Sequence, residues 1–247
     1  MTPEEKELAK RFEELSDRAE RRGIYTNTPF LTTAEQAVLA ELGLPFSAFG
    51  GYEEAERIVA LFGHRQDCGY PPQNPIALLQ VKPKSERFAD ALTHRDYLGA
   101  IMNLGIKRET VGDIVASEKE GYVVCLETVA DYLVEQLTQI RHTAVTVKRT
   151  EKIPPLVLPQ PQSEQIVISS ARLDAVISAV WDLSRAEGKR LVEREQVTLS
   201  GKLCTDPGKE LIGGERISVR GYGRFYYDGI DRETKKGKLR ADVRIFH

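Results

Sequence analysis

The sequence lacks the features that would tie it to an oxidising compartment, a membrane or a nucleotide-binding loop. It has three cysteines, Cys68, Cys125 and Cys204. An odd number at wide spacing gives neither a disulfide framework nor a CxxC metal pair, so reduced, buried thiols are expected. No apolar run approaches the roughly 18 residues that a membrane helix requires. The N-terminus, Met1-Thr-Pro-Glu-Glu-Lys6, has no apolar core of the secretory kind. A cytoplasmic protein that does not enter membranes is the expectation. Gly50-Gly51 and Gly213-Gly214 have neither Walker nor Rossmann spacing. His64 and Cys68 lie four apart beside Asp67, but a metal centre needs three or four ligands and no others accompany them. His94 and Asp96 suggest acid–base chemistry only until Thr93-His-Arg-Asp96 is read as a helix start. No catalytic residue, metal or cofactor is therefore expected.

What is present is enough chain for two or three small domains, with a hydrophobic fraction of 41% over 247 residues. The formal net charge of −2 conceals an asymmetry. Residues 165–247 carry 16 Lys and Arg against 12 Asp and Glu, and the rest of the chain carries 19 against 25. The basic end points to an anionic partner.

Thr2-Pro3-Glu4-Glu5 is a capped helix start, and Leu8, Phe12, Leu15 and Ala19 follow at helical spacing to Gly23. A second capping box is read at Thr33-Ala-Glu-Gln36, with a helix running to Gly43. Phe49-Gly-Gly-Tyr-Glu-Glu-Ala-Glu-Arg57 reads as a turn entering a short helix, and Pro71, Pro72 and Pro75 mark a boundary. A mainly helical domain is thus expected over 1–75.

Residues 76–150 alternate in the order strand, helix, strand, strand, helix, strand. The segments are Ile76–Lys82, a helix from Thr93 to Gly105, Gly112–Ala116, Tyr122–Leu126, a helix bearing Val129, Leu133 and Leu137, and Thr143–Lys148. That is the β-α-β-β-α-β order of a ferredoxin-like, RRM-like sandwich. Four prolines in 151–165 read as a semi-rigid linker, and 166–247 forms the last domain. The predicted class is α+β.

In the last domain, Ser170 is placed to cap a helix with Leu173, Val176, Ile177 and Val180 on its core face. Ser184-Arg-Ala-Glu187 is another capping box. It opens a helix with Arg185 and Lys189 four apart, and Arg190 and Arg194 four apart. Unpaired N–H groups and basic side chains at a helix mouth favour a phosphate. A solvated face paired with Glu187, Glu193 and Glu195 has the same spacing, which does not separate the two readings. Ser184 reads first as a cap, with a direct contact as the alternative. Val197, Leu199, Leu203, Ile217 and Val219 alternate as strands, and Gly201-Lys202 is a tight turn. Arg216, Ser218 and Arg220 share an exposed face, with Tyr222, Phe225, Tyr226 and Tyr227 beside them. Such rings can stack bases, although half of them are expected in the core. A terminal hairpin carries Arg232, Lys235, Lys236 and Lys238 at its tip.

Residues 170–225 resemble the S-four RNA-binding domain, or α-L motif. Arg172-Leu173-Asp174, Ser184-Arg185, Val197-Thr-Leu199 and Gly214–Gly223 carry the likeness. Departures are Ser200, where the family often has Asn, and Gly188, a poor helix former. Further motifs extend the likeness along nearly the whole chain. These are Phe49–Arg57, Leu92-Thr-His-Arg-Asp-Tyr-Leu-Gly-Ala100, Asn103-Leu-Gly-Ile-Lys-Arg-Glu109 with Gly112-Asp-Ile114, Gly221-Tyr-Gly-Arg-Phe225 and Thr234–Lys238. Together they resemble the YlmH family.

The resemblance implies a bacterial RNA-binding protein with an N-terminal helical domain, a middle RRM-like domain and a C-terminal α-L (S-four) module. Its implied partners are the large ribosomal subunit, its rRNA and tRNA, in the rescue of subunits blocked by peptidyl-tRNA. Arg172, Ser184, Arg185, Lys189, Arg190, Lys202, Arg220 and Arg224 are the candidate RNA contacts. Lys107, Arg108 and Arg95 are added from the middle domain, and a monomer is expected. Two alternatives remain at this point. Arg-Leu-Asp also occurs in pseudouridine synthases with a catalytic Asp, but no Gly precedes Arg172 and Ala175-Val-Ile-Ser178 departs from the synthase continuation. Asp174 is expected to pair with a nearby cation instead. The acidic N-terminal part could alternatively serve a cell-division adaptor.

Overall fold

The computed structural model describes residues 1–85, 90–118, 120–158, 160–234 and 237–246. The chain forms two compact units, Met1–Leu158 and Pro159–His247.

The first unit begins with α1 (Pro3–Arg22). Thr2 accepts from the Glu5 N–H while the Glu5 carboxylate accepts from Thr2 N, and Gly23 ends the helix in the left-handed conformation, φ 60°. Next come β1 (Thr26–Asn27), α2 (Thr33–Glu41), β2 (Ser47–Phe49) and β3 (Val59–Phe62). The α2 capping box is Thr32 with Glu35, one residue before the pair expected at Thr33 and Gln36. The three strands form a sheet of order β1-β3-β2. The expected domain of 1–75 is thus less purely helical than its patterning suggests. All four residues of β3 are buried, so it has no polar alternation to betray it. Phe12, Leu39, Ala60 and Phe62 close the core between the helices and this sheet.

A short helix, α3 (Arg65–Cys68), precedes the sandwich. The sandwich consists of β4 (Ile76–Pro83), α4 (His94–Asn103), β5 (Val111–Ala116), β6 (Gly121–Leu126), α5 (Glu127–Gln136), β7 (Gln139–Ile140) and β8 (Thr143–Thr150). The antiparallel sheet runs β5-β6-β4-β8-β7, which is the split βαβ arrangement with a short added edge strand. One face packs Leu79, Val81, Val123 and Val145 against Tyr97, Ile101, Ala130 and Leu133 of the helices. The opposite face is also covered. Ile76, Val115, Tyr122 and Val124 lie in one cluster with Phe30 and Val59, and Phe49, Tyr52, Val157 and Leu158 pack against it.

Phe49–Arg57 forms no helix. It crosses the sheet as a strap, and Gly51 is required there. Its φ is +90°, and a Cβ would stand 2.8 Å from Leu78 Cδ2 and 3.1 Å from Val124. Asp113 fastens the strap, its carboxylate accepting from Tyr52 Oη at 2.7 Å, Glu56 N at 2.6 Å and Arg57 N at 3.2 Å. The two motifs at Phe49–Arg57 and Gly112–Ile114 are therefore the two halves of one joint.

The second unit comprises β9 (Gln162–Ile168), α6 (Leu173–Val180), α7 (Arg185–Glu193), β10 (Val197–Leu199), β11 (Lys202–Leu203), β12 (Glu215–Val219), β13 (Gly223–Glu233) and β14 (Leu239–Phe246). They form an antiparallel sheet of order β11-β10-β12-β13-β14-β9. Residues 162–165, read as linker, belong to β9 and pair with β14. Only Ile166 and Ile168 of β9 are buried, so its first half has no apolar signal. The turn Ser200-Gly201 is left-handed at both positions, with φ 47° and 87°. These values suit a two-residue hairpin joining Leu199 to Lys202. Of the cysteines only Cys125 is buried, and Cys68 and Cys204 are half-buried rather than enclosed.

Helices α6 and α7 approach at Gly188. A Cβ there would lie 2.2 Å from Ser178 Oγ and 2.6 Å from the Asp174 carbonyl oxygen. Ser178 Oγ donates to the carbonyls of Asp174 at 2.7 Å and Ser184 at 3.2 Å, so it has little room to turn away. Gly188 is thus placed by packing against its own helix propensity. The two effects predict opposite signs for Gly188→Ala. Propensity alone would stabilise by about 1 kcal/mol, whereas overpacking costs about 2 kcal/mol. A lower urea midpoint for the alanine variant is the expected result.

Candidate nucleic-acid interface

The cationic corner of the second unit is built around a buried carboxylate. Asp174 lies in the first turn of α6 with its side chain 4% exposed. Arg172 Nε and Nη2 donate to it at 3.3 and 3.4 Å, and Arg185 Nη2 donates at 3.1 Å. Arg185 Nη1 also reaches Ser169 Oγ at 3.1 Å. Burial acts to raise the Asp174 pKa, and the hydrogen bonds and charges of the two arginines outweigh it and hold it below the ordinary value. The arginines remain 44% and 47% exposed. They are aligned by Asp174 while keeping donors at the surface.

Ser170 does not cap α6. The N-cap is Arg172, which makes no side-chain cap bond. The first N–H groups are instead satisfied across the fold, Leu173 N by the Lys209 carbonyl at 2.8 Å and Asp174 N by the Pro207 carbonyl at 3.1 Å. The loop at 206–211 thus positions Arg172 and Asp174, an arrangement no local motif announces.

At the mouth of α7, Ser184 is engaged in its cap. Its hydroxyl donates to Glu187 Oε2 at 2.6 Å and accepts from Glu187 N at 3.2 Å. Lys189 pairs with Glu193 at 3.3 Å with both side chains exposed, which is a weak surface pair. Arg190 is exposed on the same helix and Arg194 at its C-cap. Lys202 is exposed in the β10–β11 hairpin, and Arg220 is exposed after β12 with its N–H on the Gln196 carbonyl at 2.9 Å. Arg224 is half-buried with its guanidinium 4.4 Å from the Phe246 ring centroid. It is a packing residue as well as a cation. Among the four rings of 222–227, Phe225 and Tyr227 are in the core, while Tyr222 is exposed and packs beside Trp181 at 6.1 Å. Lys235 and Lys236 of the hairpin tip lie outside the described residues.

In the first unit, Lys107 and Arg95 are exposed. Arg108 is half-buried and donates to the carbonyls of Val111 and Gly112. Sequence reading missed Arg57 beside it, whose Nη2 donates to the Phe30 carbonyl at 2.9 Å. The Arg57 signal lay inside a segment expected to be helical.

Asp174 has the surroundings of a structural anchor, being enclosed and doubly paired. Among the described residues no cluster of three or more His, Cys, Asp or Glu could hold a metal ion. No described helix is long and apolar enough to cross a membrane. The depressed Asp174 pKa fixes the sign of a pH effect. Its stabilisation is complete above the unfolded carboxylate value of about 3.9 and is lost as pH falls through the lower folded value. Glu187, lowered by its Ser184 hydrogen bonds, titrates in the same acid window. The difference between wild type and Asp174→Asn therefore isolates Asp174. The variant should lose about 2 kcal/mol at pH 7, and the gap should narrow as pH falls below about 3.9 in urea melts followed across pH.

Residues 73–153 match the family described as "Putative RNA-binding domain in YlmH". The chain is 34% identical over 225 residues to the "Ribosome-associated protein quality control protein P2" of Bacillus subtilis (strain 168), covering 87% of this chain and 84% of that protein. The solved "Cell division protein ylmH from Streptococcus pneumoniae" is 23% identical with a TM-score of 0.49, over 61% of this chain and 93% of that one. Shared identity along most of both chains, with the family match over residues 73–153, places the protein in the YlmH family.

Proposed function

We propose that this protein is a non-catalytic, cytoplasmic RNA-binding factor of ribosome-associated quality control. On this reading it contacts large-subunit rRNA, and tRNA held there, during rescue of subunits blocked by peptidyl-tRNA. One observation carries the proposal: Arg172 and Arg185 are oriented by a single buried Asp174, half exposed, beside the exposed cations of α7. A preformed guanidinium pair suits phosphate, because planar forks lose little freedom on forming paired hydrogen bonds. The B. subtilis relative, named for ribosome-associated quality control, supplies the cellular context. The non-catalytic reading is supported by the surroundings of Asp174, which is enclosed and paired with Arg172 and Arg185.

Lys189→Glu/Arg190→Glu is the test, because both side chains are exposed and neither holds α6 to α7. Co-sedimentation with purified large subunits should weaken at least about tenfold at physiological salt. The slope of log affinity against log salt should become shallower by about 2. Crosslinking in cells followed by sequencing of the attached RNA should recover large-subunit rRNA with the wild type and little with the variant. An unchanged rRNA footprint in the variant would remove α7 from the interface.

A further inference from the structure

We propose that the first unit carries a second anion site, a cleft lined by Arg11, Arg57, Lys107 and Arg108 that binds a phosphate group. The cleft is a cavity of about 540 Å³. Its cations converge from α1, the strap after β2 and the α4–β5 connection, segments far apart in sequence. Two carboxylates also line it, those of Glu35 and Glu109. Glu35 is engaged by Thr32, accepting from its N–H at 2.6 Å and its hydroxyl at 2.8 Å, and the four cations outnumber the two carboxylates.

The inner pair is held under tension. The Arg57 Nε–H is buried and finds no acceptor among the described residues. Burial, and then the charge of Arg57, lower the Arg108 pKa, so the two guanidinium groups repel one another in a partly desolvated place. Asp113 attracts both, but its oxygens already accept from Tyr52, Glu56 and Arg57 backbone or hydroxyl donors. An anion in the cleft would relieve that repulsion. Arg11 and Lys107 are exposed at the rim, placed to close on the outer oxygens. The lining rings, Phe12 and Phe30, are each 1% exposed, so no ring is available to stack a base or sugar. The chemistry is therefore that of a phosphate group, supplied by an RNA backbone or by free phosphate.

The site does not depend on the α7 interface, and the test separates the two. Side-chain Nε–Hε resonances of Arg57 and Arg108 in the full chain would be followed by NMR during titration with inorganic phosphate and, separately, with a short single-stranded oligoribonucleotide. Saturable shifts at both arginines are expected. Saturation at lower oligonucleotide than phosphate concentration identifies the RNA backbone as the source, and the reverse identifies free phosphate. Arg11→Glu/Lys107→Glu should weaken the response at least about tenfold with an unchanged circular dichroism spectrum. Lys189→Glu/Arg190→Glu should leave the response in place while weakening subunit co-sedimentation. Shifts with neither titrant overturn the proposal, as do shifts that persist undiminished in Arg11→Glu/Lys107→Glu. A failed cleft beside intact, α7-dependent co-sedimentation removes this site and leaves the α7 interface standing.

Discussion

A carboxylate removed from water must be compensated, and the geometry of the second unit follows from how Asp174 is compensated. Arg172 comes from the entry to α6 and Arg185 from the first turn of α7. The pairing therefore fixes the junction of the two helices as well as a charge. The crossing can be this close only because Gly188 has no side chain and Ser178 turns its hydroxyl into the gap. A buried ion pair of this kind contributes little net stability over a well-packed apolar alternative, but losing one partner is expensive. Its use here is orientation: two guanidinium groups are held with their free edges at the surface.

Asp113 plays the corresponding part in the first unit with a different balance. Its donors are a phenol and two backbone N–H groups rather than paired guanidinium forks. Burial then prevails, and its pKa is raised even with Arg57 and Arg108 nearby. The same residue type thus serves as a clasp in both units, in one case outweighed by cations and in the other by desolvation. The Asp113 clasp also explains why Phe49–Arg57 is not helical. Its backbone N–H groups at Glu56 and Arg57 are satisfied across the fold, which removes the incentive to bond locally.

Legibility in the sequence tracked the range of the interaction. The capping boxes at Thr2 and Ser184 and the helix start at Thr93 are local, four-residue devices, and all three form. The strand and helix alternation of 76–150 is similarly regular, and its elements and pairing order follow. Readings failed where a distant group decided the outcome. Ser170 lost the cap of α6 to carbonyls some 40 residues away, at Pro207 and Lys209. The start of β9 looked like linker because its first residues are exposed and only pairing with β14 defines them. In the candidate site, Arg185, Lys189 and Arg190 were readable from helix spacing and Arg172 from the Arg172-Leu173-Asp174 motif. The partners that constrain them, and the meeting of Arg57 with Arg108, were not. Gly188 looked like a departure from helical composition, and the α6 contact turns it into a requirement.

The covered sheet face narrows how the middle domain can act on RNA. Domains of this topology commonly bind single strands by stacking bases on aromatic rings of the open sheet face. Here Phe30, Val59, Phe49 and Tyr52 occupy part of that face, with Ile153, Val157 and Leu158 beside them. The remainder presents Gln80, Lys82, Thr146 and Lys148, and Lys82 pairs with Glu120 at 3.0 Å. No described ring is left there to stack. What the domain can offer is charge at its margins, at Lys107, Arg108 and Arg95. Phosphate contacts of that kind position a protein on a folded RNA without reading its bases. The paired arginines of the second unit are suited to the same task. On the proposed function, both units would therefore recognise the shape and backbone of structured RNA, which suits a partner whose fold, rather than a single-stranded sequence, marks the place to bind.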